Sequence, residues 1–400
     1  MTTHQNTQSD QLFSRGMIAV LIAQFISALA DNALLFAAIA LLKSQLAPNW
    51  QIPLLQEFFV VAFILLAPFV GPFADGFPKG RVMLIANLLK LLGASAMVLG
   101  LNPLLAYGLV GIGAAAYSPA KYGILSELVS AEKLVKANGL IEGSTIVAIL
   151  LGAVLGGKLA DSSVSIALFA ICACYLLAAI ANTFIPRLAI ARPDTKLSPP
   201  KMVKEFLQAL KVLSTNKDAR FSLIGSSVFW GTGSTLRLLL VAWVPVALGI
   251  NDLSMPANLS GAVAIGIAIG AALAANFIRL EHVNRVLPAG LLIGILIMLF
   301  AHSTQLYIAI GLLILIGATG GFYVVPLNAL LQERGHETVG AGNAVAVQNF
   351  FENFCMMTLI GLYIALEKSH VPIIYITFIF GSFILVAISL LARQRLYQKR

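Results

Sequence analysis

Charge is scarce in this 400-residue chain: Asp, Glu, Lys and Arg make up 11% of it, against 59% apolar residues. A soluble domain carries about 25% charged residues, so an ordinary water-facing surface is excluded. Cysteine is scarce as well. The three present (Cys172, Cys174, Cys355) all fall inside apolar runs, which excludes a disulfide framework and zinc spacing. Two positions apart on a helix, Cys172 and Cys174 point about 200° from each other and cannot chelate. The five histidines (His4, His282, His302, His336, His370) sit at the N-terminus, near span ends or in loops, with no pair at metal-ligand spacing. No metal or cofactor is expected. Catalytic signatures are missing too: there is no G-x-S-x-G, and no histidine stands four residues before an aspartate. The run Gly152-Ala-Val-Leu-Gly-Gly157-Lys158-Leu159 nearly spells a phosphate-cradling loop. It has leucine where magnesium needs Ser or Thr, and no strand precedes it. Its glycines are expected to bring helices close together, as are Gly266/Gly270 and Gly317/Gly321. The chain is therefore not expected to be an enzyme.

Long apolar runs are what it has instead. Mean hydropathy is +0.91, and 400 residues leave room for roughly a dozen spans of about 20 residues. Twelve are read, at about 17–43, 53–75, 82–101, 103–126, 138–160, 164–186, 221–249, 258–279, 286–303, 305–331, 338–366 and 372–393. Alternate loops differ sharply in charge. One side holds Arg15, Lys79, Arg81, Lys133, Lys136, the basic 187–220 segment, Arg279, Arg285, Arg334 and the RQRLYQKR tail; the other holds Lys43, Lys158 and Lys368. Positive loops stay inside, so both termini and the long central loop are expected in the cytoplasm. The net charge of +9 then reflects topology and contact with anionic membrane lipids, not nucleic-acid binding. The expected organisation is a cytoplasmic N-terminus (1–16), a six-helix bundle (17–186), a cytoplasmic linker (187–220), a second six-helix bundle (221–393) and a cytoplasmic tail (394–400). Nothing after Asp10 resembles a cleavable signal peptide. Within the linker, Lys201 to Leu213 has the helical spacing of an amphipathic helix lying on the inner membrane face.

The rare charges inside the runs mark a candidate site. Asp31 and Arg237 each lie near the centre of a span, where a charge costs several kcal/mol unless it meets a partner or a water-filled cavity. Gln24, Ser27 and Asp31 share one helical face, with Asn32 beside it. Trp230, Ser234 and Arg237 share another, and Gln348/Glu352 and Asn349/Asn353 form i,i+4 stripes in the eleventh span. Lys121 and Tyr122 sit near the inner end of the fourth. Substrate-contacting residues are expected among Asp31, Arg237, Glu352, Gln348, Asn349, Gln24, Lys121 and Trp230. Glu57, Lys90 and Glu142 read as structural. A central arginine suits a phosphate; a carboxylate suits an amine or a coupling proton.

Two motifs connect these spans to a known architecture. Gly71-Pro-Phe-Ala-Asp75-Gly-Phe-Pro-Lys79-Gly-Arg81 resembles the major-facilitator loop motif G-x-x-x-D-[RK]-x-G-[RK]-[RK]. Asp75 is expected to pair with Lys79 or Arg81 as a gate, although Gly76 and Pro78 depart from the pattern. Tyr117/Pro119/Glu127/Asn138 also echo Tyr323/Pro326/Glu333/Asn343 in the other half. The expected fold is thus all-α, an integral membrane protein of the major-facilitator type with twelve transmembrane helices in two six-helix halves.

Longer blocks are more specific. AQFISALADNALLFAAIALLKSQ, GRVMLIANLLKLLGA, GAAAYSPAKYGILSEL, KLVKANGLIEGSTIVAILLG, RFSLIGSSVFWG, TLRLLLVAWVPVALGI, FYVVPLNALLQERG and VGAGNAVAVQNFFEN are similar to the bacterial lysophospholipid transporter family over nearly the whole chain. That resemblance implies inward flipping of lysophospholipids, notably 2-acyl-glycerophosphoethanolamine, across the bacterial inner membrane. It also implies a cytoplasmic-side acyltransferase/acyl-ACP synthetase as functional partner, here a separate protein. The alternatives are a proton-coupled multidrug or small-solute transporter and, from another class, a membrane acyltransferase.

Overall fold

The computed structural model describes residues 13–129, 131–188, 198–278 and 280–397. The side chains of Asp75, Asn138, Glu142 and His336 lie outside the described part. Among the described residues there is no strand. The helices in chain order are α1 (Arg15–Ser44), α2 (Ile52–Gly76), α3 (Lys79–Val98), α4 (Pro103–Gly123), α5 (Leu125–Leu128), α6 (Ala131–Ser162) and α7 (Val164–Thr183). They continue with α8 (Pro199–Thr215), α9 (Lys217–Leu248), α10 (Ser254–Phe277), α11 (Leu287–Ala301), α12 (Leu306–Thr338), α13 (Ala341–Lys368) and α14 (Ile373–Tyr397).

Local chemistry sets many of these boundaries. Ser14 accepts a hydrogen bond from the Met17 amide and starts α1. Asn102 does the same for the first turn of α4, where Pro103 needs no donor. Gly249, with φ +68°, ends α9 in the left-handed conformation that favours glycine. Among the described residues, eleven segments are long and apolar enough to cross a membrane. The remaining crossing is α4, whose glycines, Tyr107, Ser118 and Pro119 dilute its hydropathy. Its place is secured by packing against α2 and α3.

The two halves repeat one packing scheme. In the first, α1 packs on α6, α2 on α4 and α3 on α7; in the second, α9 packs on α13, α10 on α12 and α11 on α14. The halves meet where α2 lies against α13 and α6 against α10. Helix α8 buries Phe206, Ala209 and Leu213 in a cluster with Ala67 of α2, Leu223 of α9 and Val347 of α13. Its apolar stripe thus ties the connecting segment to both halves.

Ion pairs fasten the face that carries the ends of α12 and α14. Asp218, at the start of α9, binds Arg395 at 2.6 Å and Arg334 at 3.1 Å, and Lys79 pairs with Glu127. At the opposite face Asp161, near the end of α6, accepts from the Leu253 and Ser254 amides at 2.7 Å each and from the Ser254 hydroxyl. One carboxylate therefore caps the first turn of α10 in the other half, where the helix dipole favours negative charge. Lys368 of α13 lies 4.7 Å over the ring of Trp50, which precedes α2. Asp161→Ala is expected to weaken closure at this face about tenfold, since it removes charge-assisted bonds from two amides. Pulsed-EPR distances between labels at Ser163 and Asn251 check it, with the longer-distance population rising.

Candidate functional site

The site grows from one turn of α1. Asp31 is bound on both oxygens: Lys90 of α3 donates to Oδ2 at 2.7 Å, and the Tyr175 hydroxyl of α7 donates to Oδ1 at 2.8 Å. Lys90 is 1% exposed, and its ammonium also reaches Ser27 Oγ at 3.1 Å. Ser27 in turn donates to Asn87 Oδ1 at 2.7 Å, and Gln24, a turn further down, donates to Thr145 of α6 at 2.7 Å. Taking an ammonium and a carboxylate out of water costs several kcal/mol each, so the pair persists because hydrogen bonds satisfy the remaining valences.

Arg237 ends one residue away. Its Nη2 donates to Asn32 Oδ1 at 2.8 Å, joining α9 of the second half to α1 of the first. Asn32 is oriented for this: its Nδ2 donates to the Ala28 carbonyl at 2.8 Å, which leaves the amide oxygen for Arg237. The α1–α6 approach behind it is tight, because a Cβ on Gly152 would stand 2.4 Å from the Leu29 carbonyl oxygen and 3.0 Å from Asn32 Cβ. Asp31 and Arg237 thus answer to different partners, and neither is bonded to the other.

A second polar cluster lies on α13. Gln348 Nε2 donates to Glu352 at 2.8 Å and to Asn328 Oδ1 of α12 at 2.9 Å. All of Gln348, Glu352 and Asn353 are buried. Asn353 donates to the Asn349 carbonyl at 2.8 Å, one turn back on the same helix. Trp230 is exposed and stands edge-on to Phe229 at 5.3 Å. Lys121 lies 4.2 Å over the Tyr122 ring. Of the loop motif, Lys79 reaches Glu127 and Arg81 is exposed; the Asp75 side chain lies outside the described residues.

The charge balance is the chemically informative result. Asp31 and Lys90 neutralise each other. Arg237 and Glu352 have only neutral hydrogen-bond partners among the described residues. Enclosed charges without counter-ions are costly and mark ligand sites. Arg237 is thus a cation open to an anionic ligand, and it meets α1 one residue from Asp31. Glu352 bonds Ser226 of α9, about 16 Å along that helix from Arg237. Glu57 of α2, whose buried Oε1 has no hydrogen-bond partner among the described residues, is a further carboxylate without a counter-ion there. Sequence reading set aside Lys90, which the structure places at the centre of this network. The signal was available: a lysine inside the apolar run IANLLKLLGA falls under the rule that singled out Asp31. Asn32 was noted only as a neighbour, and Tyr175 had no signal beyond its type.

Two repeated six-helix halves, joined through α2/α13, α6/α10 and the Arg237–Asn32 contact, define a membrane carrier rather than a catalyst. The family model of the Major Facilitator Superfamily matches residues 20–357. The chain belongs to this superfamily and, within it, to the family of the lysophospholipid transporter LplT. It is 55% identical over 390 residues to the Lysophospholipid transporter LplT of Shigella boydii serotype 4 (strain Sb227), covering 98% of each chain. The protein of that name from Escherichia coli O1:K1 / APEC is equally similar, with the same identity and coverage. Among solved structures, the fold is similar to a mutant form of the nucleoside transporter NupG, with a TM-score of 0.74, 12% identity, and 96% of this chain and 100% of that one covered. It is similar also to a variant of the Escherichia coli fucose:proton symporter FucP, with a TM-score of 0.65, 13% identity and 95% and 98% covered.

Proposed function

We propose that this chain flips lysophospholipids, notably 2-acyl-glycerophosphoethanolamine, inward across the bacterial inner membrane. The observation that supports the reading is Arg237, a cation inside a membrane span whose partner is the neutral Asn32, next to Asp31 on α1, in a chain so similar to transporters named for such lipids. A guanidinium offers the phosphodiester two parallel hydrogen bonds and a permanent charge. The ammonium of the head group then faces a carboxylate: Asp31, beside the Arg237–Asn32 contact and with the protein's own Lys90 as counter-ion, or Glu352, further along α9 at Ser226. The acyl tail lies along apolar helix faces. Loop charge asymmetry supports both termini on the cytoplasmic side, where a separate acyltransferase/acyl-ACP synthetase restores the diacyl lipid. Asp75, Lys79 and Arg81 belong to the inner gate in this reading.

The test presents labelled lysophospholipid outside vesicles containing the purified chain, with or without added acyltransferase inside, and separates products by thin-layer chromatography. Expected is entry of unmodified lysolipid by the chain alone, and diacyl product only with the enzyme. Acyl transfer by the chain alone refutes the reading. So does transport restricted to cationic drugs that collapses with the proton gradient.

A further inference from the structure

We infer that Lys90 is a built-in competitor for the head group's ammonium at Asp31, and thereby a specificity-determining residue of the site. The inference rests on the transport reading above. Around the Lys90 ammonium stand a carboxylate at 2.7 Å, a hydroxyl at 3.1 Å, the Tyr117 ring at 4.9 Å and the Tyr175 ring at 5.9 Å. Carboxylate plus aromatic faces is the chemistry that recognises an ammonium ligand; here a tethered ammonium fills the receptor. The surroundings hold more polar capacity than Lys90 uses. Tyr117 Oη and Asn87 Nδ2 are buried without a hydrogen-bond partner among the described residues, Asn87 being 0% and Tyr117 4% exposed. The lysine stem reaches this place because α4 has Gly113 there. A Cβ at that position would stand 2.7 Å from Lys90 Cγ.

Competition follows from charge. Asp31 has lone pairs left beyond those that accept from Lys90 and Tyr175, but its single negative charge is already balanced by Lys90. A second ammonium gains a full ion pair with Asp31 only by displacing Lys90. A zwitterionic head group can take over as counter-ion. An anionic head group, such as phosphoglycerol, cannot, and then Lys90 stays to mask a carboxylate that would otherwise repel it. Lys90 is a positioning residue in this scheme, acting through Asp31.

The experiment compares lysophosphatidylethanolamine with lysophosphatidylglycerol in wild type, Lys90→Met, Asp31→Asn and the Lys90→Met/Asp31→Asn double variant. Apparent KM and maximal rate are measured in vesicles, and equilibrium binding in detergent. In Lys90→Met the KM for the ethanolamine lipid is expected to fall about tenfold and that for the glycerol lipid to rise about tenfold. The double variant, which removes both charges together and so leaves no unpaired ion, is expected to lose both shifts. Equal changes for the two lipids, or shifts that persist in the double variant, overturn the inference. Should Lys90→Met not accumulate as a monodisperse protein, Lys90→Gln, which keeps a hydrogen bond to Asp31 without the charge, takes its place. Opposite KM shifts for the two lipids support the inference, and equal or absent shifts overturn it. Wild type that transports neither lipid refutes the transport reading instead. The binding measurements then still decide the role of Lys90.

Discussion

Arg237→Ala is expected to lower lysophospholipid uptake about 10- to 100-fold at equal expression, the loss of one charge-assisted phosphate contact of about 1.5–3 kcal/mol. The effect should fall on transport rather than on folding. Arg237 is half-buried and, among the described residues, makes one side-chain hydrogen bond, to Asn32, whose amide nitrogen remains fixed on the Ala28 carbonyl. Arg237→Lys is expected to retain partial activity, because an ammonium supplies the charge without the paired donors. Uptake of labelled lysolipid into vesicles, with thermal stability measured on the same preparations, separates the two effects. Full activity in Arg237→Ala would sink the phosphate assignment. Recovery in an Asp31→Arg/Arg237→Asp double variant would point to an interdomain ion pair, which the observed partners, Lys90 and Asn32, do not form.

The fold was largely legible because membrane crossing is a problem of length and hydropathy, and both are written along the chain. Helix ends were less so. The reading of 305–331 stops where the apolar run stops, whereas α12 continues through Gln332, Glu333 and Arg334 to Thr338. Hydropathy detects the membrane boundary, and a helix can leave the bilayer without ending. The same holds for α6, which starts at Ala131 rather than near residue 138. Conversely the run 103–126 is broken: α4 ends at Gly123, and a separate turn of helix, α5, carries Glu127 to Lys79. The echo between Tyr117 and Tyr323 reflects the packing scheme that α1–α7 and α9–α14 share. Both rings are fully enclosed on the fourth helix of their halves.

The candidate site was legible as an inventory and not as a wiring diagram. Asp31 and Arg237 stood out because each is a charge in an apolar run, and that rule is one-dimensional. Which cation meets which anion depends on the rotation of α3 and α9 about their axes and on how closely α6 approaches α1, quantities set by packing. Hence Lys90 reads from sequence as structural, and the partners that the geometry gives the two central charges, Lys90 for Asp31 and Asn32 for Arg237, are not readable there. The i,i+4 stripe Gln348/Glu352 was readable, since both ends lie on one helix; its third member, Asn328, comes from α12 and was not.

The second large effect concerns the α10–α12 seam. Gly270→Ala is expected to destabilise the second half, lowering the apparent melting temperature by about 5 °C, and Gly270→Leu to prevent accumulation of folded protein. A Cβ at residue 270 would stand 1.9 Å from the Ala318 carbonyl oxygen. Across the seam, Cβ atoms at 317 and 321 would lie 2.1 and 2.2 Å from the carbonyl oxygens of Val263 and Ile267. These are backbone-to-backbone contacts, so no side chain can rotate away; the helices must separate, and close packing is what holds them in lipid, where water supplies no hydrophobic drive between them. Gly233, on the open face of α9 with no atom within 4 Å of an added Cβ, is the control. Gly233→Ala should be neutral or slightly stabilising, since alanine is favoured over glycine by about 1 kcal/mol inside a helix. The two substitutions add the same methyl group, so propensity predicts the same gain for both and packing predicts opposite signs. Size-exclusion recovery after heating decides between them. Because α10 also receives the Asp161 carboxylate at its first turn, a shift of this helix should in addition loosen the closed face. Equal stability of the two variants would show that the seam tolerates separation, and would remove the packing argument for this repeat of small residues.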